Sequence, residues 1–152
     1  MANQTFVFQE GQHALMTGAL DWDTTTNIRC ALLAATVTPD PDDNAADTQY
    51  SIQGTSYLAT PASRTATIDD SNNRVRYDMT SPVTFTAVVA GNAVDKMLVY
   101  WDADGGGEAA IETADLYIAC FEFTSLTPNG GDITVTLSTS PDAAFIGTNT
   151  VS

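Results

Sequence analysis

The residues best suited to chemistry in this chain are acidic. The run Asp102-Ala103-Asp104-Gly105-Gly106-Gly107-Glu108 looks faintly like a calcium loop. An EF-hand loop needs a bidentate Glu at its twelfth position, and Thr113 stands there. The flanking residues also read as strands, where an EF-hand has helices. The run therefore predicts a solvated hairpin tip, with an adventitious divalent cation at Asp102 and Asp104 as the alternative. Asp40, Asp42, Asp43 and Asp47 form a second acidic cluster, which reads as a solvated loop.

The remaining constellations fail on spacing. His13 is the only histidine. A zinc site needs several His or Cys ligands at short spacing. A Ser-His-Asp triad would have to use His13, and the chain has no Gly-x-Ser-x-Gly elbow. Glycosidase chemistry needs two opposed carboxylates, and no pair of acids is singled out. No Gly-rich loop follows a strand and opens a helix, so nothing cradles a phosphate. Trp22, Tyr50, Tyr57, Tyr77, Tyr100 and Trp101 could line a sugar platform, although aromatic residues in strands more often belong to the core. The sequence predicts no catalytic residue, no resident metal and no cofactor.

Whatever site exists must be carried by strands. Thr is the commonest residue, with 23 copies, and Asp outnumbers Glu by 15 to 4. Thr is β-branched and suits a pleated, half-wet surface. Asp favours turns, whereas Glu and Lys, the helix formers, are scarce. Thr5 to Gln9 alternates around Phe6 and Phe8. Asn27 to Thr36 is nearly continuous apolar sequence, as in a strand buried on both faces. Further strands are expected at Gln49 to Gln53, Tyr57 to Ala59, Ala66 to Asp69, Arg74 to Met79, Val83 to Val89, Lys96 to Trp101, Ala114 to Phe123 and Asp132 to Ser138. Asp70-Ser71-Asn72-Asn73 reads as a hairpin turn and Thr38 to Asn44 as a loop. Gly11 to Trp22 carries the one helical hint, which Gly18 weakens to a short helix at best. Short strands at this spacing predict an all-β, single-domain antiparallel β-sandwich, jelly-roll-like or Ig-like, with at most one short N-terminal helix. Its expected limits are an N-terminal arm over 1–12, the sandwich over 13–139 and a C-terminal tail over 140–152.

Charge narrows the partners. The 152 residues carry a formal charge of −14. A phosphate backbone repels such a surface, as does an anionic bilayer, so neither nucleic acid nor membrane is an expected partner. The first residues lack the basic and apolar regions of a secretory signal, which predicts a chain made in a cytosol. Cys30 and Cys120 each lie in an apolar run and read as buried thiols; a disulfide would require their strands to be neighbours.

Several segments, in order, resemble a known pattern. Ala14-Leu15-Met16 leads to Leu20-Asp21-Trp22-Asp23-Thr24, then Ile28-Arg29-Cys30-Ala31-Leu32-Leu33, then Thr38-Pro39-Asp40-Pro41-Asp42. Thr67-Ile68-Asp69, Val75-Arg76-Tyr77-Asp78 and Met97-Leu98-Val99-Tyr100-Trp101-Asp102 follow. Over residues 13 to 137 this succession resembles a family of small tailed-bacteriophage virion proteins of the capsid decoration, or cement, type. It departs from the family at Arg29-Cys30 and at Gly54-Thr55-Ser56-Tyr57. The resemblance implies a non-enzymatic β-sandwich, made in the host cytoplasm, that sits on the capsid exterior and bridges subunits of the major capsid protein. It transfers no catalytic residue. A homo-oligomer is expected, a trimer before a dimer, because capsids offer local threefold sites. Expected contacts lie in the arm and tail, anchored by Phe6, Phe8, Phe145 and Ile146. The alternative is a tail- or fibre-associated virion protein that contacts host glycans through exposed aromatics.

Overall fold

In the computed structural model, residues 3–70, 74–105, 110–137 and 145–147 are described. The strands are β1 (Asn3–Val7), β2 (Ile28–Ala34), β3 (Leu58–Ala59), β4 (Arg64–Asp69), β5 (Arg74–Met79), β6 (Val83–Phe85), β7 (Val94–Trp101), β8 (Leu116–Leu126), β9 (Ile133–Val135) and β10 (Phe145–Gly147). One helix, α1 (Gln9–Thr17), and one 3₁₀ turn, Thr55–Tyr57, complete the set. A five-stranded sheet has the order β1-β8-β7-β2-β3. A three-stranded sheet, β10-β5-β4, and the pair β6-β9 form the rest. Every strand pairing is antiparallel.

The middle of the large sheet is buried on both faces, which is why β2 and β7 read as apolar runs rather than as alternations. One face carries Cys30, Leu32, Met97, Val99 and Phe121, packed with Trp22, Tyr57, Phe85, Val88, Ile133 and Val135. That is the core between the large sheet and the smaller ones. The other face carries Ala31, Leu33, Leu98, Tyr100, Tyr117 and Cys120, covered by Phe8, Ala45, Tyr50 and Ile111. The expected all-β single-domain sandwich is the architecture observed, with a loop cover on its second face and Ala14 of α1 packed into the first.

The acidic loop after β2 belongs to that cover. Asp40 Oδ1 accepts the Asp42 N–H, Asp43 Oδ2 the Asp40 N–H, and Asn44 Oδ1 the Asp47 N–H, each at 3.0 Å. Such side-chain-to-backbone bonds fix turns without a ladder. Tyr50 stacks on Tyr117 at 4.9 Å between ring centroids, and its hydroxyl donates to Asp43. The Tyr117 hydroxyl in turn donates to the Thr48 carbonyl at 2.6 Å. This corrects the strand expected over Gln49 to Gln53: the Tyr50 N–H bonds the Tyr117 hydroxyl at 3.2 Å instead of a neighbouring strand.

Helix α1 lies directly on β8. A Cβ on Gly11 would stand 2.4 Å from the Tyr117 carbonyl oxygen and 2.6 Å from Ile118 Cα, so only glycine permits this approach. Gly18 terminates the helix rather than weakening it: its φ of 74° is the left-handed cap that ends many helices.

The expected strand over Val83 to Val89 shortens to β6. Ala87 adopts φ 49° and gives its N–H to Asp132 Oδ1 at 2.8 Å, which takes the chain out of the ladder. The strand expected from Asp132 to Ser138 is regular only over β9. The turn expected at 70–73 lies mostly outside the described residues. The arm expected over 1–12 is built into the fold from residue 3 onward, as edge strand β1 against β8 and the first turn of α1.

Candidate functional site

Two strands that share seven registered pairs converge on an acidic hairpin mouth. β7 ends at Trp101 and β8 begins at Leu116, and these two residues pair. Continuing that register sets Asp102 opposite Asp115 at the base of the loop between them. The Asp102 N–H bonds the Asn27 carbonyl at 3.0 Å, which extends the β2–β7 ladder by one residue and anchors this corner on a third strand.

The carboxylates of Asp102, Asp104 and Asp115 come together here, with one oxygen of each within 4.8 Å of the others. Asp102 and Asp115 are buried, at 5% and 6% exposure, and Asp104 is exposed. Asp102 Oδ1 accepts the Gly105 N–H at 2.8 Å, and its Oδ2 faces Arg29 Nε at 3.3 Å. Asp115 Oδ2 accepts the Glu112 N–H at 2.9 Å. Asp115 Oδ1 is buried without a hydrogen-bond partner. Burial raises the Asp115 pKa above the ordinary carboxylate value. The Glu112 and Ala103 backbone N–H groups offset part of that rise, and repulsion from Asp102 and Asp104 adds to it. Beneath the cluster, burial raises the Tyr100 hydroxyl too, with Asp115 and Asp102 reinforcing it.

The sequence singled out Asp102 and Asp104 and missed Asp115. Gly106, Gly107 and Glu108 lie outside the described residues. An oxygen-only donor set of this kind suits a hard divalent cation.

The second motif of interest, Asp21-Trp22-Asp23-Thr24, forms a staple between the turn before β2 and the β4–β5 hairpin. Asp21 Oδ1 accepts the Asp23 and Thr24 N–H groups at 3.0 and 3.3 Å. Trp22 is buried, and its indole N–H donates to the Asp78 carbonyl at 3.1 Å. Arg64 forks onto the Trp22 and Thr25 carbonyls at 2.6 and 2.7 Å, with its guanidinium 5.4 Å from the centre of the Trp22 ring. Asp23 Oδ1 accepts the Ala66 N–H at 2.6 Å.

The expected contact residues divide. Phe8 is fully buried among Phe6, Tyr50 and Tyr117, so it serves the core and offers no surface. Phe6 is half-buried on β1. Phe145 and Ile146 lie on β10, whose backbone pairs with β5 opposite Tyr77 and Arg76. The rest of the expected tail, 140–144 and 148–152, lies outside the described residues. His13 is exposed on α1. Cys30 and Cys120 are free and buried on opposite faces of the large sheet, separated by β7, so their strands are not neighbours. Burial pushes both thiols up to about 12. Among the aromatics considered for a sugar platform, Trp22, Tyr50, Tyr57 and Tyr100 are all buried.

Comparison with known proteins finds no matching family model, no matching curated protein and no matching solved structure.

Proposed function

We propose that the protein is a non-enzymatic virion structural component of a tailed bacteriophage, a capsid decoration protein that adheres to the outer face of the shell and bridges coat subunits. The observation that carries this reading is the use made of the acids. Asp21, Asp23, Asp40, Asp43 and Asp132 accept backbone N–H groups at turns and strand edges, where they brace shape. A rigid slab suits adhesion, because little order is lost when it docks. Its net charge of −14 favours a position away from the packaged genome. A decoration protein stabilises its shell by binding the assembled lattice better than free coat, and repetition over the lattice multiplies modest contacts. Trimers at local threefold positions are the assembly we favour, with the major capsid protein and further copies of this chain as partners. The burial of Trp22, Tyr50, Tyr57 and Tyr100 removes most of the platform that a glycan-binding tail protein would need.

The test is location and stoichiometry. Gradient-purified particles should contain the chain in a fixed ratio to the coat protein, and an electron-microscopy map should place it on the capsid exterior. Particles that lack it, or that hold it only at the tail, would refute the proposal. Truncation of residues 2–12 is a poor probe of the contact, because it deletes β1 and the buried Phe8.

A further inference from the structure

We propose that Asp102, Asp104 and Asp115 hold one hard divalent cation, calcium in preference to magnesium, at the base of the β7–β8 loop. Three carboxylates that converge on a protein surface do not by themselves make a site, since exposed acids repel and solvate independently. Here one of them is buried and only partly satisfied. Asp115 is 6% exposed and sits beside two further carboxylates; its Oδ2 accepts the Glu112 N–H, while its Oδ1 is buried with no hydrogen-bond partner. A buried acceptor with no donor is rare and costly, and two like charges next to it make the cost larger. A cation between the three removes both penalties at once.

The dimensions fit. Oxygens bound to one calcium at 2.3–2.6 Å lie at most about 5 Å apart, and the three carboxylate oxygens all lie within 4.8 Å of one another. Magnesium holds its ligands closer, at about 2.0–2.1 Å, demands a regular octahedron and gives up its water reluctantly, so an all-protein carboxylate set favours calcium. The charge fits as well. Among the described residues, Arg29 pairs with Asp102, and a divalent ion would relieve the repulsion among the three carboxylates. Arg29 does not fill the site: it contacts one Asp102 oxygen through Nε, and each carboxylate oxygen has two lone pairs. The donor set is all oxygen, which selects calcium or magnesium over zinc or copper. Water completes the shell on the side of Asp104, which is exposed.

The ion would tie the first residue after β7 to the last residue before β8, and through the Asn27–Asp102 backbone bond to the start of β2. The inference is independent of where on a particle the protein sits.

The experiment uses the full chain, freed of metal with a chelator and titrated with CaCl2 by calorimetry. Terbium luminescence excited through tryptophan gives a second readout, because Trp101 adjoins Asp102. Wild type should bind one calcium per chain with a dissociation constant of order 10⁻⁴ M, as for weak extracellular sites. Saturating calcium should raise its thermal midpoint by roughly 5 °C. Asp115→Asn and Asp104→Asn should each weaken binding at least tenfold and abolish the thermal shift. Magnesium should bind several-fold more weakly. Asp104 is exposed, so its substitution leaves the fold intact; circular dichroism without calcium checks both variants. Absence of binding at several millimolar calcium overturns the proposal. So does unchanged affinity in Asp104→Asn, or several ions per chain whose number neither substitution reduces, since that is diffuse attraction to an acidic surface.

Discussion

The Arg64 fork can be tested in magnitude. Its two bonds, 2.6 Å to the Trp22 carbonyl and 2.7 Å to the Thr25 carbonyl, are short and charge-assisted. Bonds to charged groups contribute about 1.5–3 kcal/mol each when buried. Arg64 is only half-buried, so solvent screens part of both bonds. Half the lower figure per bond is therefore the appropriate scale, with about 0.5 kcal/mol for the guanidinium over the Trp22 ring. Arg64→Leu should cost about 2 kcal/mol, which at this length lowers the thermal midpoint by roughly 4–8 °C. Arg64→Lys keeps the charge but is a point donor without a fork, and it should cost about 1 kcal/mol. Urea denaturation followed by tryptophan fluorescence measures both. A cycle with Trp22→Phe, which removes the 3.1 Å bond to the Asp78 carbonyl, should be non-additive by at least about 0.5 kcal/mol, because both residues fasten the same turn to the same hairpin. Losses under about 0.5 kcal/mol for Arg64→Leu, or full additivity in the cycle, would show that the staple is decoration on a fold held elsewhere.

Three further outcomes follow from the core and the acidic corner. Gly11→Ala should destabilise by at least about 2 kcal/mol in thermal or urea unfolding, because the new methyl meets the β8 backbone, which cannot swing away as a side chain would. Cys30 and Cys120, with pKa values pushed up to about 12 by burial, should stay unreactive to a thiol reagent at pH 8 in the native protein, and both should react in denaturant. Asp115 is raised by burial above its ordinary 3.8, so the stability of its neutral form is fully present below that value and is lost as pH rises through the elevated folded value. Without added calcium, Asp115→Asn should flatten that fall and stabilise the protein by about 1 kcal/mol at neutral pH, since the amide keeps the Glu112 bond and can donate toward the other two acids. An Asp115→Asn variant that is less stable than wild type in a chelator would contradict this.

The central strands were legible in the sequence because two-sided burial leaves a plain mark: a continuous apolar run such as Ile28 to Ala34 has few other solutions. The edges were legible only in part: the alternation over Thr5 to Gln9 marked a strand that overlaps β1, whereas β10 is short and reads equally well as a frayed end. What makes β1 a strand is a row of backbone groups offered by β8, and Phe8 is placed in the core by tertiary contacts that no periodicity records. The segment Gln49 to Gln53 misled for the opposite reason. Tyr50 and Ile52 alternate as in a strand, but their apolar side chains cover the outer face of the large sheet while the Tyr117 hydroxyl takes the backbone N–H.

The acidic corner depends on something finer still. Asp102 and Asp104 are visible as a pair in any reading of the loop, whereas Asp115 joins them only through register. Between Val99 and Tyr100 the pairing with β8 slips: Val99 faces Ala119, but Tyr100 faces Tyr117, so Ile118 is an extra residue in β8. Without that bulge, Trp101 would face Tyr117 and Asp102 would face Leu116, so Asp115 would move away from its partner by one residue. The bulged Ile118 is fully buried, and it is the residue on whose backbone Gly11 of α1 rests. The helix thus seats against the irregularity that brings two buried carboxylates face to face. Deleting Ile118 should therefore disturb both the helix contact and cation binding, while deleting Asp70, exposed at the end of β4, should disturb neither.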